Sequence, residues 1–234
     1  MESLSPGQYF YAPDAEGEQY TFDTFESGHM VKVLRKKAGD EIALTDGRGR
    51  VYRARILTAT PRRVTVAILQ SREVPPPARK LHVWIAPTKQ IDRFEWFLEK
   101  ATELGVWEIT PLRTARTERK QLNFERLEKI IVSAVKQSLR AYKPRLNPWK
   151  TLAEVQAPSG QGFVALCRAE TYHNRAFRQA PRASVVIGPE GGFTPSEQSL
   201  LIDKGFLPLR LGAHRLRTET AGVASVCQFY TCNL

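Results

Sequence analysis

Two patterns of apolar and polar positions divide this 234-residue chain, and Pro75-Pro76-Pro77 stands between them. Three successive prolines fix φ and offer no N–H donor, so neither a helix interior nor a central strand absorbs them. Ahead of them the apolar residues fall in short runs typical of strands. Glu41–Thr45 and residues 50–57 flank Asp46-Gly-Arg-Gly49, whose glycines supply the positive φ of a hairpin turn. Residues 63–69 predict a third strand, and residues 26–37 a short helix stopped by Gly39. The expectation for residues 1–74 is a small β-barrel.

Beyond the prolines, strands alternate with helices. Residues 81–86 and 106–110 predict strands. Between them Phe94, Phe97, Leu98, Ala101 and Leu104 repeat at helical spacing until Gly105. Phe124, Leu127, Ile131, Ala134, Val135 and Ser138 line a second helix. Residues 163–167, 183–187 and 206–211 predict three more strands, with helices over 195–204 and from Thr218 to the C-terminus. Residues 78–234 therefore predict an α/β domain with a mainly parallel sheet covered on both faces.

Charge adds a partner to this picture. Thirty-five Lys and Arg against 24 Asp and Glu give a net +11, which favours capture of polyanions, nucleic acid first among them. The charge is segregated: residues 1–31 carry six acids and no Lys or Arg, whereas residues 32–72 carry eleven bases against three acids, a net +8. Arg50, Arg53 and Arg55 do not all alternate to one face, yet a basic face for RNA is favoured over an edge strand merely protected by charge. Cys167, Cys227 and Cys232 are odd in number with no C-x-x-C spacing. They point to a reducing compartment and away from a disulfide framework or zinc site, so no metal is expected. With no apolar run near the roughly 18 residues of a membrane span and no secretory pattern at the start, the chain is expected to be soluble and cytoplasmic, with no membrane partner.

Two glycine-bearing turns stand at predicted strand ends, where open α/β sheets bind ligands. The first is Ile187-Gly-Pro-Glu-Gly-Gly-Phe-Thr-Pro-Ser-Glu197. Gly188, Gly191 and Gly192 permit close backbone approach to a ligand. Thr194 or Ser196 can cap the next helix, with Pro195 at its first position and Glu197 in its first turn. Neither the P-loop lysine nor G-x-G-x-x-G spacing is present. The second turn runs Leu209-Arg-Leu-Gly-Ala-His-Arg-Leu-Arg-Thr-Glu-Thr-Ala-Gly222. There Thr218 can cap a helix whose N-terminus favours anions, and Ala221, Gly222, Ala224 and Ser225 suggest close packing.

G-P-E-G-G at 188–192 and L-R-T-E-T-A at 216–221 resemble the SPOUT superfamily of knotted methyltransferases, most closely its small-subunit ribosomal RNA methyltransferase E family. Supporting marks are Glu103-Leu-Gly-Val106, Ile109-Thr-Pro-Leu112, Gly39-Asp-Glu-Ile42 and Asp46-Gly47. The resemblance implies a PUA-like β-barrel followed by an α/β domain with a C-terminal trefoil knot, acting as a homodimer. It implies transfer of a methyl group from S-adenosylmethionine to N3 of one uridine in 16S ribosomal RNA, within the small ribosomal subunit. It places the cofactor among Leu166, Gly188, Pro189, Glu190, Gly191, Leu211, Gly212, Leu216 and Thr218. The chain departs from the family in Lys136-Gln-Ser-Leu-Arg140, where E-Q-S-G-R is usual, and in Ala213-His214-Arg215.

Uracil N3 is a weak acid and a poor nucleophile while protonated, so such an enzyme must help the proton leave and stabilise the anion. Arg217, always charged and rich in donors, is the first candidate, unless it only pairs with Glu219. Glu190 and Glu219 are candidates for a base or for orienting Arg217, and His214 ranks below them. Arg35, Lys36, Lys37, Arg113, Arg116, Arg119, Lys120 and Arg140 are expected phosphate contacts, which position RNA without reading it. Competing readings are ribose 2′-O-methylation on the same fold, a non-catalytic RNA-binding assembly factor, and a nucleotide-binding α/β protein unrelated to RNA.

Overall fold

The computed structural model describes residues 7–156 and 160–231. Cys232 and the end of the expected final helix lie outside them. The chain divides into two compact units, Met1–Pro76 with Val132–Lys143, and Pro77–Ile131 with Pro144–Leu234.

The first unit contains β1 (Tyr9–Tyr11), β2 (Gln19–Thr21), α1 (Thr24–Gly28), β3 (Glu41–Thr45), β4 (Arg50–Thr60) and β5 (Arg63–Glu73). Their sheet has the order β1-β3-β4-β5-β2. The expected barrel does not close: β1 and β2 are the edges, and no pairing joins them among the described residues. Each edge strand has three residues, too few ladder groups to bridge the gap, although register shifts at Arg53/Ala54 and Ile56/Thr58 bend the long β4–β5 ribbon. Phe10, Met30, Leu44, Ile56 and Val66 form the core. The helix starts before the expected residue 26 because Asp23 caps it, accepting the Glu26 N–H at 2.7 Å. It passes into a π-helical turn, His29–Val33, and ends well short of residue 37, with Arg35 at φ +54°. Arg50 pairs with Glu73 at 2.6 Å and Arg55 with Glu41 at 2.8 Å, with Arg53 4.0 Å from Glu41. The expected basic face is thus partly neutralised here, by exposed pairs that solvent screens.

The second unit holds β6 (Lys80–Ile85), α2 (Ile91–Leu104), β7 (Glu108–Arg113), α3 (Phe124–Gln137), β8 (Arg145–Leu146), β9 (Lys150–Thr151), β10 (Gln161–Ala165), α4 (Asn174–Gln179), β11 (Arg182–Ile187), α5 (Pro195–Asp203), β12 (Leu207–Leu209) and α6 (Thr218–Thr231). The strand order is β12-β10-β11-β6-β7-β8, with β9 also on β7, and every pairing is parallel. Pro111 lies inside β7, opposite the gap between β8, which ends at the register of Ile109, and β9, which begins at Leu112. A residue without an N–H disrupts the ladder least there. Phe97 of α2, Phe177 of α4 and Phe229 of α6 are fully buried, with Phe177 linking Phe163 of β10 to Phe229. Phe193, Leu201 and Phe206 pack in a second cluster with Val164 and Val186. Apolar layers on both faces explain why these strands read as continuous apolar runs.

The end of α3, assigned to the first unit, carries the departures at 136–140. Lys136 pairs with Glu26 at 2.6 Å, both side chains only 14% exposed. Leu139, at the family's glycine position, has φ +56°, and the Arg140 N–H closes the helix on the Val135 carbonyl at 3.1 Å. This is the left-handed helix end that glycine serves best. Leu139→Gly should raise unfolding free energy by about 0.5–1 kcal/mol, the left-handed strain relieved less the added chain entropy. A higher urea midpoint at constant slope is the expected reading.

His82 of β6 sits in a partly buried polar network. Asn147 Nδ2 donates to Glu108 Oε1 and to Thr110 Oγ1, both at 2.7 Å, and Thr110 Oγ1 lies 2.7 Å from His82 Nε2. His82 Nδ1 lies 3.9 Å from Glu108 Oε2 on the other side of the ring. Burial holds the imidazole down at about 4, against an opposing pull from Glu108. Below pH 6.5 the unfolded chain binds a proton that the folded chain refuses. Stability present above pH 6.5 should therefore be lost as pH falls toward 4, by about 3 kcal/mol in total. His82→Asn should flatten that part of a stability–pH curve measured by urea unfolding.

Candidate cofactor and catalytic site

The C-terminal ends of β12, β10, β11 and β6 lie side by side. β6 leads on to β7 on one side, whereas β11 follows β10 on the other. Their adjacency makes the crevice beyond Ile85 and Ile187 a topological switch point. Three turns meet there.

Residues 188–194 form the first. Thr194, rather than Ser196, caps α5: its Oγ1 accepts the Glu197 N–H at 3.2 Å, and Glu197 Oε2 accepts the Thr194 N–H at 2.8 Å. The other carboxylate oxygen of Glu197 accepts the Ala115 N–H at 2.7 Å, tying the segment after β7 to this helix. A side chain at Gly188 would bring a Cβ within 3.0 Å of the Phe193 ring, and Gly192 has φ +70°, so glycine is favoured at both.

Residues 210–217 form the second turn, shaped by its own arginine. Arg210 donates from Nε to the Gly212 carbonyl at 3.1 Å and from Nη2 to the Ala213 carbonyl at 3.0 Å. Asn174 of α4 accepts the Arg210 N–H at 3.2 Å, and Gln228 of α6 donates to the Leu211 carbonyl at 2.8 Å. Two bonds join the turns: Thr218 Oγ1 to the Gly188 carbonyl at 3.1 Å, and Arg215 Nη2 to the Glu190 carbonyl at 2.8 Å.

The third turn follows β6. The Lys89 N–H donates to Glu190 Oε1 at 3.0 Å. Arg119 Nε donates to the Thr88 carbonyl at 3.0 Å, and Arg116 Nη1 to the Gly191 carbonyl at 2.7 Å. Arg116, Arg119 and Arg215 thus clamp the carbonyls of the loops around the crevice, each retaining further donors of its guanidinium.

Leu166, Leu211 and Leu216 are half-buried along these turns and Pro189 is buried. Among the described residues the backbone N–H groups of Leu211, Gly212 and Leu216 donate to no other protein group. Apolar faces beside convergent unsatisfied donors fit S-adenosylmethionine, whose purine needs a slot and whose polar edges need backbone partners.

The candidate catalytic groups separate in this geometry. Arg217 is exposed and forms no ion pair or hydrogen bond through its side chain among the described residues. Glu219 is 7% exposed and faces Arg93 of α2, with 4.0 Å between Nε and Oε1, while its Oε2 has no hydrogen-bond partner. A pairing of Arg217 with Glu219 is therefore absent. Glu190 is occupied by the Lys89 amide, and His214 is exposed.

Of the expected phosphate contacts, Arg116 and Arg119 join the crevice. Arg113 donates to the Lys120 carbonyl at 3.1 Å and lies over the Trp149 ring. Arg35, Lys36, Lys37 and Arg140 belong to the first unit. Lys89, Arg93, Asn174 and Gln228 were not among the sequence candidates, because their roles depend on contacts across 17 or more residues of chain. Among the described residues no cluster of three His, Cys, Asp or Glu could hold a metal ion, and no helix is long and apolar enough to cross a membrane.

Proteins similar to this chain include RNA methyltransferases. A family model described as an RNA methyltransferase domain matches residues 75–229, and one described as an RNA methyltransferase PUA domain matches residues 26–69. Ribosomal RNA small subunit methyltransferase E of Rickettsia conorii is 30% identical over 86% of this chain and 84% of its own length. A probable rRNA-methyltransferase from Porphyromonas gingivalis superposes with a TM-score of 0.88 at 35% identity, covering 97% of this chain and 100% of that one. The ribosomal RNA small subunit methyltransferase E of Neisseria gonorrhoeae, solved bound to S-adenosyl methionine, gives 0.82 at 26% identity, covering 94% and 95%. The chain belongs to the RNA methyltransferase family, among the relatives of ribosomal RNA small subunit methyltransferase E.

Proposed function

We propose that this chain methylates N3 of a uridine in 16S ribosomal RNA, with S-adenosylmethionine held by the joined turns at 188–192 and 211–218. The observation that carries this reading is an arginine, Arg217, without a side-chain partner among the described residues, at the edge of a backbone-lined crevice. When bound, S-adenosylmethionine supplies an electrophilic sulfonium methyl. Leu166, Gly188, Pro189, Glu190, Gly191, Leu211, Gly212, Leu216 and Thr218 form the cofactor's surroundings. Arg217 stabilises the N3-deprotonated ring, raising the share of nucleophile present at neutral pH. Glu190 acts chiefly as a positioning residue, since its carboxylate and carbonyl brace the turns beside it. Glu219 fixes Arg93 and the first turn of α6, and so the position of Arg217 next to it.

The same reading carries a trefoil knot in the C-terminal segment, a homodimer, action in the cytoplasm, and a substrate inside the small ribosomal subunit. The packing of α6 against α2, α4, β6 and β11 beneath the first turn is in keeping with the knot. Arg35, Lys36, Lys37, Arg113, Arg116, Arg119, Lys120 and Arg140 supply phosphate contacts. Labelled S-adenosylmethionine incubated with unmodified small subunits should place the label in 3-methyluridine. Label in a 2′-O-methyl nucleoside would move the target to ribose, and no label despite cofactor binding would leave a binding role.

A further inference from the structure

The first unit turns an aromatic ring to solvent. Phe25 of α1 is 81% exposed and Val33, at the end of the π turn, 64%, while the other face of this segment is anchored through buried Ser27 and Met30. Ser27 Oγ donates to the Phe22 carbonyl and accepts the Val64 N–H at 2.9 Å. That bond sets the β4–β5 hairpin tip beside the helix, and a Cβ on Gly28 would lie 3.5 Å from the Pro61 carbonyl. The tip carries exposed Arg62 and Arg63, and its shape is held by Thr60 Oγ1, which accepts the Arg63 N–H at 3.0 Å. Lys32 and Arg35 are exposed at the far end of the same segment. The nearby acids are engaged, Asp23 in capping and Glu26 with Lys136.

An exposed ring bordered by cations from two elements matches the chemistry of unpaired RNA, which offers a base face and phosphates together. A purely apolar partner would leave the cations unsatisfied, and a duplex keeps its base faces stacked. We propose that Phe25 is a stacking platform for an unpaired base of the RNA substrate, with Lys32, Arg35, Arg62 and Arg63 holding the phosphates around it. This rests on the reading of the chain as an RNA methyltransferase and deepens it: the first unit captures single-stranded RNA.

The test uses the full chain, a 12-nucleotide oligouridylate and an RNA duplex of equal length, with binding followed by fluorescence anisotropy. Phe25→Ala should weaken single-strand binding about tenfold, leaving duplex affinity and the salt slope unchanged, while Phe25→Tyr keeps wild-type affinity. Changing both Arg62→Gln and Arg63→Gln should lower the log–log salt slope by roughly 1.4. Unaltered cofactor affinity in each variant verifies the fold. Weaker binding by the arginine variants with none by Phe25→Ala would overturn the stacking role and leave the RNA reading standing. Failure of the wild-type chain to bind the oligouridylate would overturn the proposal, while label transfer to small subunits tests the methyltransferase reading separately. A change in self-association by sedimentation with RNA affinity intact would make Phe25 a protein contact and overturn the proposal.

Discussion

Arg217→Ala should lower methyl transfer at saturating S-adenosylmethionine by roughly 100-fold, the usual loss when one donor to a developing anion is removed. The guanidinium makes no ion pair or hydrogen bond among the described residues, so its removal breaks no internal contact, and calorimetry should give an unchanged cofactor affinity. The pH dependence separates anion stabilisation from a packing effect. If Arg217 stabilises the deprotonated ring, alkaline pH performs part of its work, and the variant should recover a share of the lost rate as pH rises. Arg217→Lys should restore only part, because a single ammonium cannot reproduce the planar fork. An activity equal to wild type would take Arg217 out of the reaction. A loss that is uniform across pH would assign it to RNA positioning instead.

Gly222→Val should destabilise the chain by about 3 kcal/mol or more. A Cβ at position 222 would lie 2.5 Å and 2.6 Å from ring carbons of Phe97 and 2.9 Å from Ile85 Cδ1. Both neighbours are fully buried, so neither has solvent to move into, and close-packed interiors do not absorb such an overlap. Trimming the obstacle should return part of the loss: the double variant with Phe97→Leu is expected to have a higher urea midpoint than Gly222→Val alone. No rescue would mean that α6 does not approach α2 as described. Because α6 begins at Thr218, whose hydroxyl holds Gly188, the same variant should also weaken cofactor binding where it remains folded.

These two positions differ in how far the sequence reveals them. Arg217 stands out because an arginine just ahead of an expected helix start, after a strand end, is a local pattern. The expected cap by Thr218 did not form, since Thr218 lies inside α6 and its hydroxyl donates to the Gly188 carbonyl. Gly222 could be suspected only from a run of small residues, since the ring it meets belongs to a helix more than a hundred positions earlier. The same division runs through the fold. The alternation of strands and helices after residue 80, the capping of α5 by Thr194 and Glu197, and the stop at Gly105 are local, and each formed close to where the pattern puts it. Three-residue β1 and β2 and six-residue α4 went unpredicted, because elements that short owe their structure to pairing and packing instead of periodicity. The barrel expectation failed on the same ground, since closure depends on how two edges meet.

The sequence by itself determined the α/β order, the two glycine-bearing turns and the family, because turn chemistry, capping and hydrophobic period act over a few residues. Only the tertiary structure decided which groups those turns bring together. It bound Glu190 to the Lys89 amide, buried Glu219 opposite Arg93, turned Arg116, Arg119 and Arg215 into clamps on loop carbonyls, and left Arg217 without a partner among the described residues. The physical reason is that a charged side chain has the same intrinsic donors and acceptors wherever it stands. Which of them remain available for chemistry depends on burial and on partners that folding brings from distant parts of the chain.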